Sequence, residues 1–370
     1  MSDRILVATR KGLFSIEPYG TGGARWAISK VDFLADNVSI AMADTRDGCI
    51  YAALDHGHFG VKMHRCKADG AWEECATPTY PERPESATDT DAWGKPIPWT
   101  TVKIWALETG GPDQPGVLWC GTLPGGLFRS DDGGTSWELV RSLWDRPKRK
   151  KWFGGGADLP GIHSICVDPR DARRVQVGIS CGGVWETADG GETWDSVGRG
   201  MRAAYMPPEQ QDDPDIQDPH CLVQCRSGPD RLWVQYHNGI FRSNGGGRIW
   251  EEIKEAGPST FGFAVAVHPE DPDTAWFVPA VNDEKRILLD GKVVVTRTRN
   301  GGQSFETLGN GLPQEHAYDP VYRHGIDVDN KGERLAFGST TGGLWISEDE
   351  GDSWQCVSRN LPPVYRVRFA

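Results

Sequence analysis

A pattern recurs along the chain and dictates most of what it can fold into: Gly, an apolar pair, Ser or Thr, then an acidic, glycine-rich turn closed by an aromatic. It reads GGLFRSDDGGTSW at 125–137, GGVWETADGGETW at 182–194 and GGLWISEDEGDSW at 342–354. Weaker copies are NGIFRSNGGGRIW at 238–250 and VVVTRTRNGGQSF at 293–305, and two decayed ones end at Trp26 and Trp72. The closing aromatics (Trp26, Trp72, Trp137, Trp194, Trp250, Phe305 and Trp354) follow one another at intervals of 46 to 65 residues. Units of that size hold four short strands, and a regular array of them is the signature of a propeller. The expectation is a single domain over 1–370, all-β, a seven-bladed β-propeller of four-stranded antiparallel blades.

The turn chemistry is local. Asp132, Asp189 and Asp349 are placed to accept backbone N–H bonds within a hairpin, and the glycines supply positive φ. Gly245 and Asn300 replace the Asp in two copies, so those turns need other acceptors. Lettering the strands A to D within a blade, the turn joins C to D. Blade four reads IHSICVDP, RVQVGIS, GVWETADG and ETWDSV. The start of the chain (ILVATRK, GLFSIE, RWAISK) supplies only B, C and D, whereas VYRVRFA is left over after blade seven. The C-terminal strand is therefore expected to join the N-terminal blade and close the ring, removing edges that invite aggregation.

Alternating strand direction puts D–A and B–C loops on one face, and A–B and C–D turns on the other. The long irregular insertions, 79–99, 145–160, 201–219 and 309–322, all belong to the first face. Long loops on a rigid scaffold carry function more often than structure. His56, His58, His163, His220, His237, His316 and His324 map there too, with only His64 and His268 elsewhere. His163, His220 and His324 share a register at the start of strand A, with Asn37, Lys103 and Phe263 as the equivalents in blades two, three and six.

Three readings of the histidines stand open: a site for a divalent transition metal held by His163, His220 and His324; acid–base or ligand-binding groups without metal; or a hydrogen-bonded channel lining. Nearby carboxylates are Asp36, Asp55, Asp158, Asp218, Glu315 and Asp319, and a pair of them at a suitable separation would suit glycoside hydrolysis. The candidate catalytic set is His163, His220, His324, Asp319 and Asp55. The candidate ligand-binding set is His56, His58, Lys103, His237, Tyr318 and Arg323, with Tyr322 on the same rim and Arg10 and Lys11 at the matching loop of blade one. The alternative is a non-catalytic protein- or glycan-binding scaffold presenting loops around Trp93, Trp99 and Trp152.

A net charge of −12 argues against nucleic acid or an anionic membrane as the main partner. Lys148-Arg149-Lys150-Lys151, the one basic block, is expected as a solvated loop. Nine scattered cysteines without paired spacing and no apolar leader point to a reducing, cytoplasmic setting.

The motif S-x-D-x-G-x-[ST]-W, with TRKGLF, HGHFG, QYHNGIFRSNGG and FGFAVAVHPEDPDT, resembles the bacterial BNR or Asp-box repeat propellers described as sialidase-like or glycosyl hydrolase-like. The resemblance implies a small polar ligand or carbohydrate as partner. The chain departs from true sialidases: DRILVATRKG has no Pro after Ile5, and Arg323 and Arg366 are the inner-strand arginines where a triad is required.

Overall fold

A computed structural model of the chain describes residues 3–20, 25–67, 70–90, 94–155 and 157–370. Trp93, one of the expected scaffold aromatics, lies outside the described residues. The described strands form seven four-stranded sheets arranged as propeller blades, each antiparallel between neighbours. Val364–Phe369 pairs with Ile5–Thr9, register Val367 opposite Val7, and so supplies the inner strand of blade one. The expected closure of the ring is thus observed.

The inner strands of blades two to seven are Val38–Ala43, Lys103–Thr109, Ile162–Val167, Pro219–Gln224, Gly262–Val267 and Ile326–Val328. Apolar side chains from facing blades pack between them, with Trp119, Trp185, Trp233, Trp276 and Trp345 fully buried. The closing tryptophans reach into the preceding blade. The Trp137 indole N–H donates to Ala76 O (2.9 Å), Trp250 to Val197 O (2.9 Å), and Trp26 to Glu348 Oε1 (3.2 Å). Each joins apolar burial to one directional bond, which fixes the angle between blades.

The acidic turns close as their chemistry requires. Asp132 accepts from the Ser136 N–H (2.8 Å) and hydroxyl (2.7 Å), while Ser130 Oγ accepts from the Gly134 N–H (2.9 Å). In the blade-four repeat, hydrogen bonds from Thr193 hold the Asp189 carboxyl down at about 2. Asn300 performs the same task through Oδ1, accepting from the Ser304 N–H (3.0 Å). In the Gly245 copy only the Ser243 hydroxyl remains, accepting from Gly245 and Gly247. These turns lie beside the A–B turns of the same face: the N–H groups of Gly190, Gly246 and Gly301 donate to Arg173, Asp230 and Asp273 carbonyls.

Candidate functional site

The inner strands of blades one to six carry a β-bulge near their start, which sets what faces the channel. Ile162 and Ser164 pair with Ile179 and Gly178, leaving His163 bulged, and His220 is bulged in the same way. Matching the pairs that follow each bulge puts Tyr365, Ser39, Trp105, His163, His220, Phe263 and His324 at one level in blades one to seven. The expected equivalents Asn37 and Lys103 are corrected to Ser39 and Trp105, two residues further on; Phe263 stands.

At this level the channel is pinched. His324 Nε2 donates to His163 O across the ring (2.6 Å), and the Arg323 guanidinium lies 4.6 Å over the Trp105 ring. Burial pushes His163 and His324 well below the usual histidine range, so both are neutral near pH 7. Below the pinch runs a cavity of about 410 Å³, lined by His163, Arg323, His324 and Arg366 at one end and by Gly111, Pro169, Pro269 and Asn330 at the other. No residue of the four long insertions lines it, so it opens toward the turn face. A pocket at the loop-face mouth, centred on three imidazoles, was expected; this geometry replaces it. The trio His163, His220 and His324 does not share a point either: His163 Nδ1 sits 2.9 Å from Ser164 Oγ, and the Nε2 of His324 is committed to a carbonyl.

A different group does converge. Asp218 lies just before the inner strand of blade five, His220 is the second residue of that strand, and His237 begins the blade's B–C loop. Their ligand-capable atoms lie within 4.8 Å of one another, the one such set of three among the described residues. Asp218 Oδ2 is 3.1 Å from His237 Nδ1 and 3.6 Å from His220 Nε2. Asp218 Oδ1 accepts from the Cys181 N–H (3.1 Å) and Ser180 Oγ (3.4 Å). His237 Nε2 donates to Asp283 Oδ2 (3.2 Å), and the Tyr205 ring meets His237 edge-on at 4.7 Å. Burial opposes ionisation of Asp218, but the His220 and His237 rings outweigh it and hold the carboxyl well below its ordinary value. Burial likewise works against charge on His237, yet the Asp218 and Asp283 carboxylates raise it. Burial keeps His220 low.

The remaining candidates lie apart from this cluster. Asp319 accepts from the Ser339 hydroxyl (3.0 Å) and from Thr341, and Asp55 from the Gly57 N–H (2.9 Å), both as loop acceptors. His56 Nδ1 is 3.7 Å from Asp36, and His58 lies against the Phe59 ring. Lys103 Nζ sits over the Trp105 and Tyr365 rings, and Tyr318 is exposed. The basic block is the expected exposed segment at Lys148, Lys150 and Lys151, but Arg149 departs from it: it is buried, bonded to Asp89 (3.1 Å) and stacked 3.8 Å over Trp144, while the exposed Lys148 and Lys151 reach Asp215. Sequence reasoning missed Asp283 and Tyr205. Asp283 sits in the long blade-six B–C loop, which the strand-direction argument assigns to this same face.

Fold and site together define a seven-bladed propeller with a carboxylate–histidine cluster on its loop-bearing face. No protein-family model matches the chain. Two curated fungal proteins are similar: a probable oligoxyloglucan-reducing end-specific xyloglucanase of Neosartorya fischeri, 25% identical over 272 residues, covering 66% of this chain and 31% of that protein; and the oligoxyloglucan-reducing end-specific xyloglucanase of Emericella nidulans, 25% identical over 264 residues, covering 68% and 27%. The chain spans less than a third of the length of either relative. Among solved structures, an ancestral GH74 enzyme superposes with TM-score 0.57 at 17% identity over 86% of this chain and 38% of that one. YCF48 bound to D1 peptide gives 0.52 at 14% over 86% and 81%. At such identities these structures speak for the propeller fold alone.

Proposed function

We propose that the chain is a carbohydrate-active propeller of the glycoside hydrolase type, taking a saccharide on its loop-bearing face at the Asp218–His237–Asp283 cluster. The observation that carries this reading is the pair of carboxylates, one buried and one exposed, set on the two nitrogens of a single imidazole beneath an exposed tyrosine. Glycoside hydrolysis needs an acid and a base flanking one bond; here Asp283 is the exposed carboxylate and the His237 imidazole, backed by Asp218, is its partner, and an exposed aromatic offers the apolar face on which a sugar ring stacks. Asp283 and Tyr205 are the groups that meet the sugar; Asp218 positions His237. Similarity to the fungal xyloglucanases supports a β-glucan chain such as xyloglucan as the first substrate to try. The same reading takes the acidic hairpins as Asp boxes of the BNR type. It places the chain in the cytosol, supported by nine free cysteines.

The test is reducing-end release from xyloglucan oligosaccharides and a panel of other glucans, with binding measured by calorimetry. Tyr205→Ala is expected to weaken binding about tenfold, the scale of one lost stacking contact of about 1.4 kcal/mol, and Asp283→Asn to abolish release while sparing binding. Binding without release in the wild type identifies a non-catalytic glycan-binding propeller. If no saccharide either binds or is cleaved, the reading falls.

A further inference from the structure

The Asp218–His220–His237 cluster contains a contact that hydrogen bonding does not explain. His220 Nδ1 lies 2.8 Å from Gly262 O, which only accepts, so that nitrogen carries the proton. The other nitrogen, Nε2, faces the Asp218 carboxylate at 3.6 Å, too far for a hydrogen bond. The two groups are held face to face in a buried place, with His220 4% and Asp218 1% exposed. A cation between them would bind both.

The distances come close to those of a metal site. Ligands about 2.0–2.2 Å from a tetrahedral Zn²⁺ lie about 3.3–3.6 Å from each other. Asp218 Oδ2 stands 3.6 Å from His220 Nε2, inside that range, and 3.1 Å from His237 Nδ1, slightly short of it, and all three ligand atoms lie within 4.8 Å of one another. Each donor is also oriented from behind, as metal ligands are. Gly262 O takes the far N–H of His220, Asp283 takes that of His237 (3.2 Å), and the Cys181 N–H and Ser180 Oγ hold Asp218 Oδ1. Gly155 borders the carboxylate: a Cβ there would come within 3.1 Å of Asp218 Oδ2 and 2.7 Å of Cys181 Sγ, so a residue without a side chain keeps this side clear. Arg323, the cation sharing this region, is drawn over Trp105.

We propose that Asp218, His220 and His237 form a three-ligand site for a divalent first-row transition metal, Zn²⁺ as the leading species, with a fourth position open toward the loop-bearing face. Two imidazoles and one carboxylate suit Zn²⁺, Co²⁺ or Mn²⁺ rather than Ca²⁺ or Mg²⁺, which take oxygen ligands. The site rests on the same cluster as the saccharide reading but not on any sugar specificity. Bound there, a metal would supply a Lewis acid for a substrate hydroxyl or for water.

The experiment uses the full chain, stripped with chelator and titrated with Zn²⁺ by calorimetry and with Co²⁺ by visible absorption. One equivalent is expected to bind, with Co²⁺ displaced by Zn²⁺. His237→Gln and Asp218→Asn should each lower affinity at least tenfold, and Asp283→Asn, acting through His237, about 10–100-fold. His316→Gln, on an exposed histidine of another loop, should bind as the wild type does. Thermal melts establish that the variants are folded; should Asp218→Asn not fold, His237→Gln at the rim carries the test. Absence of Zn²⁺ and Co²⁺ binding, or stoichiometric binding unchanged in folded His237→Gln, overturns the proposal. Metal binding without saccharide binding retains this site and rejects the sugar reading; saccharide binding without metal does the reverse.

Discussion

Replacing Asp89 with Ala should unfold the propeller several degrees early, although Asp89 lies in an insertion rather than in a blade strand. Its carboxylate is 4% exposed and bonds the Arg149 guanidinium, itself 7% exposed, at 3.1 Å. Arg149 cannot swing out to water, since its Nε donates to Trp144 O (2.6 Å) and its plane lies 3.8 Å over the Trp144 ring. Truncating Asp89 therefore leaves a buried charge without its counterion, which costs about 3–5 kcal/mol. With an unfolding entropy near 2.1 cal/mol/K per residue, 370 residues give about 0.8 kcal/mol/K, so the expected drop in Tm is about 4–6 °C. Differential scanning calorimetry reads it, beside the double variant Asp89→Leu/Arg149→Met, which removes both charges and should recover most of the loss. A single variant melting within about 0.5 °C of the wild type, or a double variant worse than the single, refutes the argument that a buried ion pair clasps insertions 79–99 and 145–160.

Two smaller effects follow from the turns. Gly245→Asp should stabilise by about 0.5–1 kcal/mol, read as a rise in Tm of about 1 °C, because a Cβ there meets nothing within 4 Å and the carboxylate restores an acceptor that its sister turns possess. At Asp168, burial opposes charge, but hydrogen bonds from Arg170 prevail and keep its pKa below the ordinary value. A depressed carboxylate contributes stability above its unfolded pKa, about 3.9, and loses it as pH falls through the folded one. The Tm gap between wild type and Asp168→Asn should hold near pH 6 and shrink as the pH falls below the unfolded value of about 3.9 and on through the folded one; a gap independent of pH would sink the assignment.

Blade count and ring closure were legible because each rests on chemistry a few residues long. Ser130, Asp132 and Ser136 announce their hairpin wherever they occur, and an unpaired VYRVRFA demands a partner. The channel register was read two residues early in blades two and three for a definite reason. A shift of two keeps every side chain on its face, so alternation does not distinguish Asn37 from Ser39 or Lys103 from Trp105, and the bulge that decides between them has no signature in these residues. The histidines were assigned to the loop face, yet which of them meet depends on rings already spoken for. His324 is consumed by the His163 carbonyl, and His237 is recruited by Asp218 and Asp283 from loops distant in sequence. Such pairings are set by loop conformation, which no periodicity encodes.

Sharing blade one between the two ends of the chain also sets the order in which the molecule can be made. Strands Ile5–Thr9 and Gly12–Tyr19 leave a ribosome well before Val364–Phe369 and cannot complete their sheet until that strand has been synthesised. Through that interval the earliest strand carries an unpaired margin, a place where a holding chaperone or a wrong partner has its opportunity. The last six residues to pair therefore act as a latch: they convert an open stack of sheets into a circle, and unfolding that begins by their release would expose both margins at once.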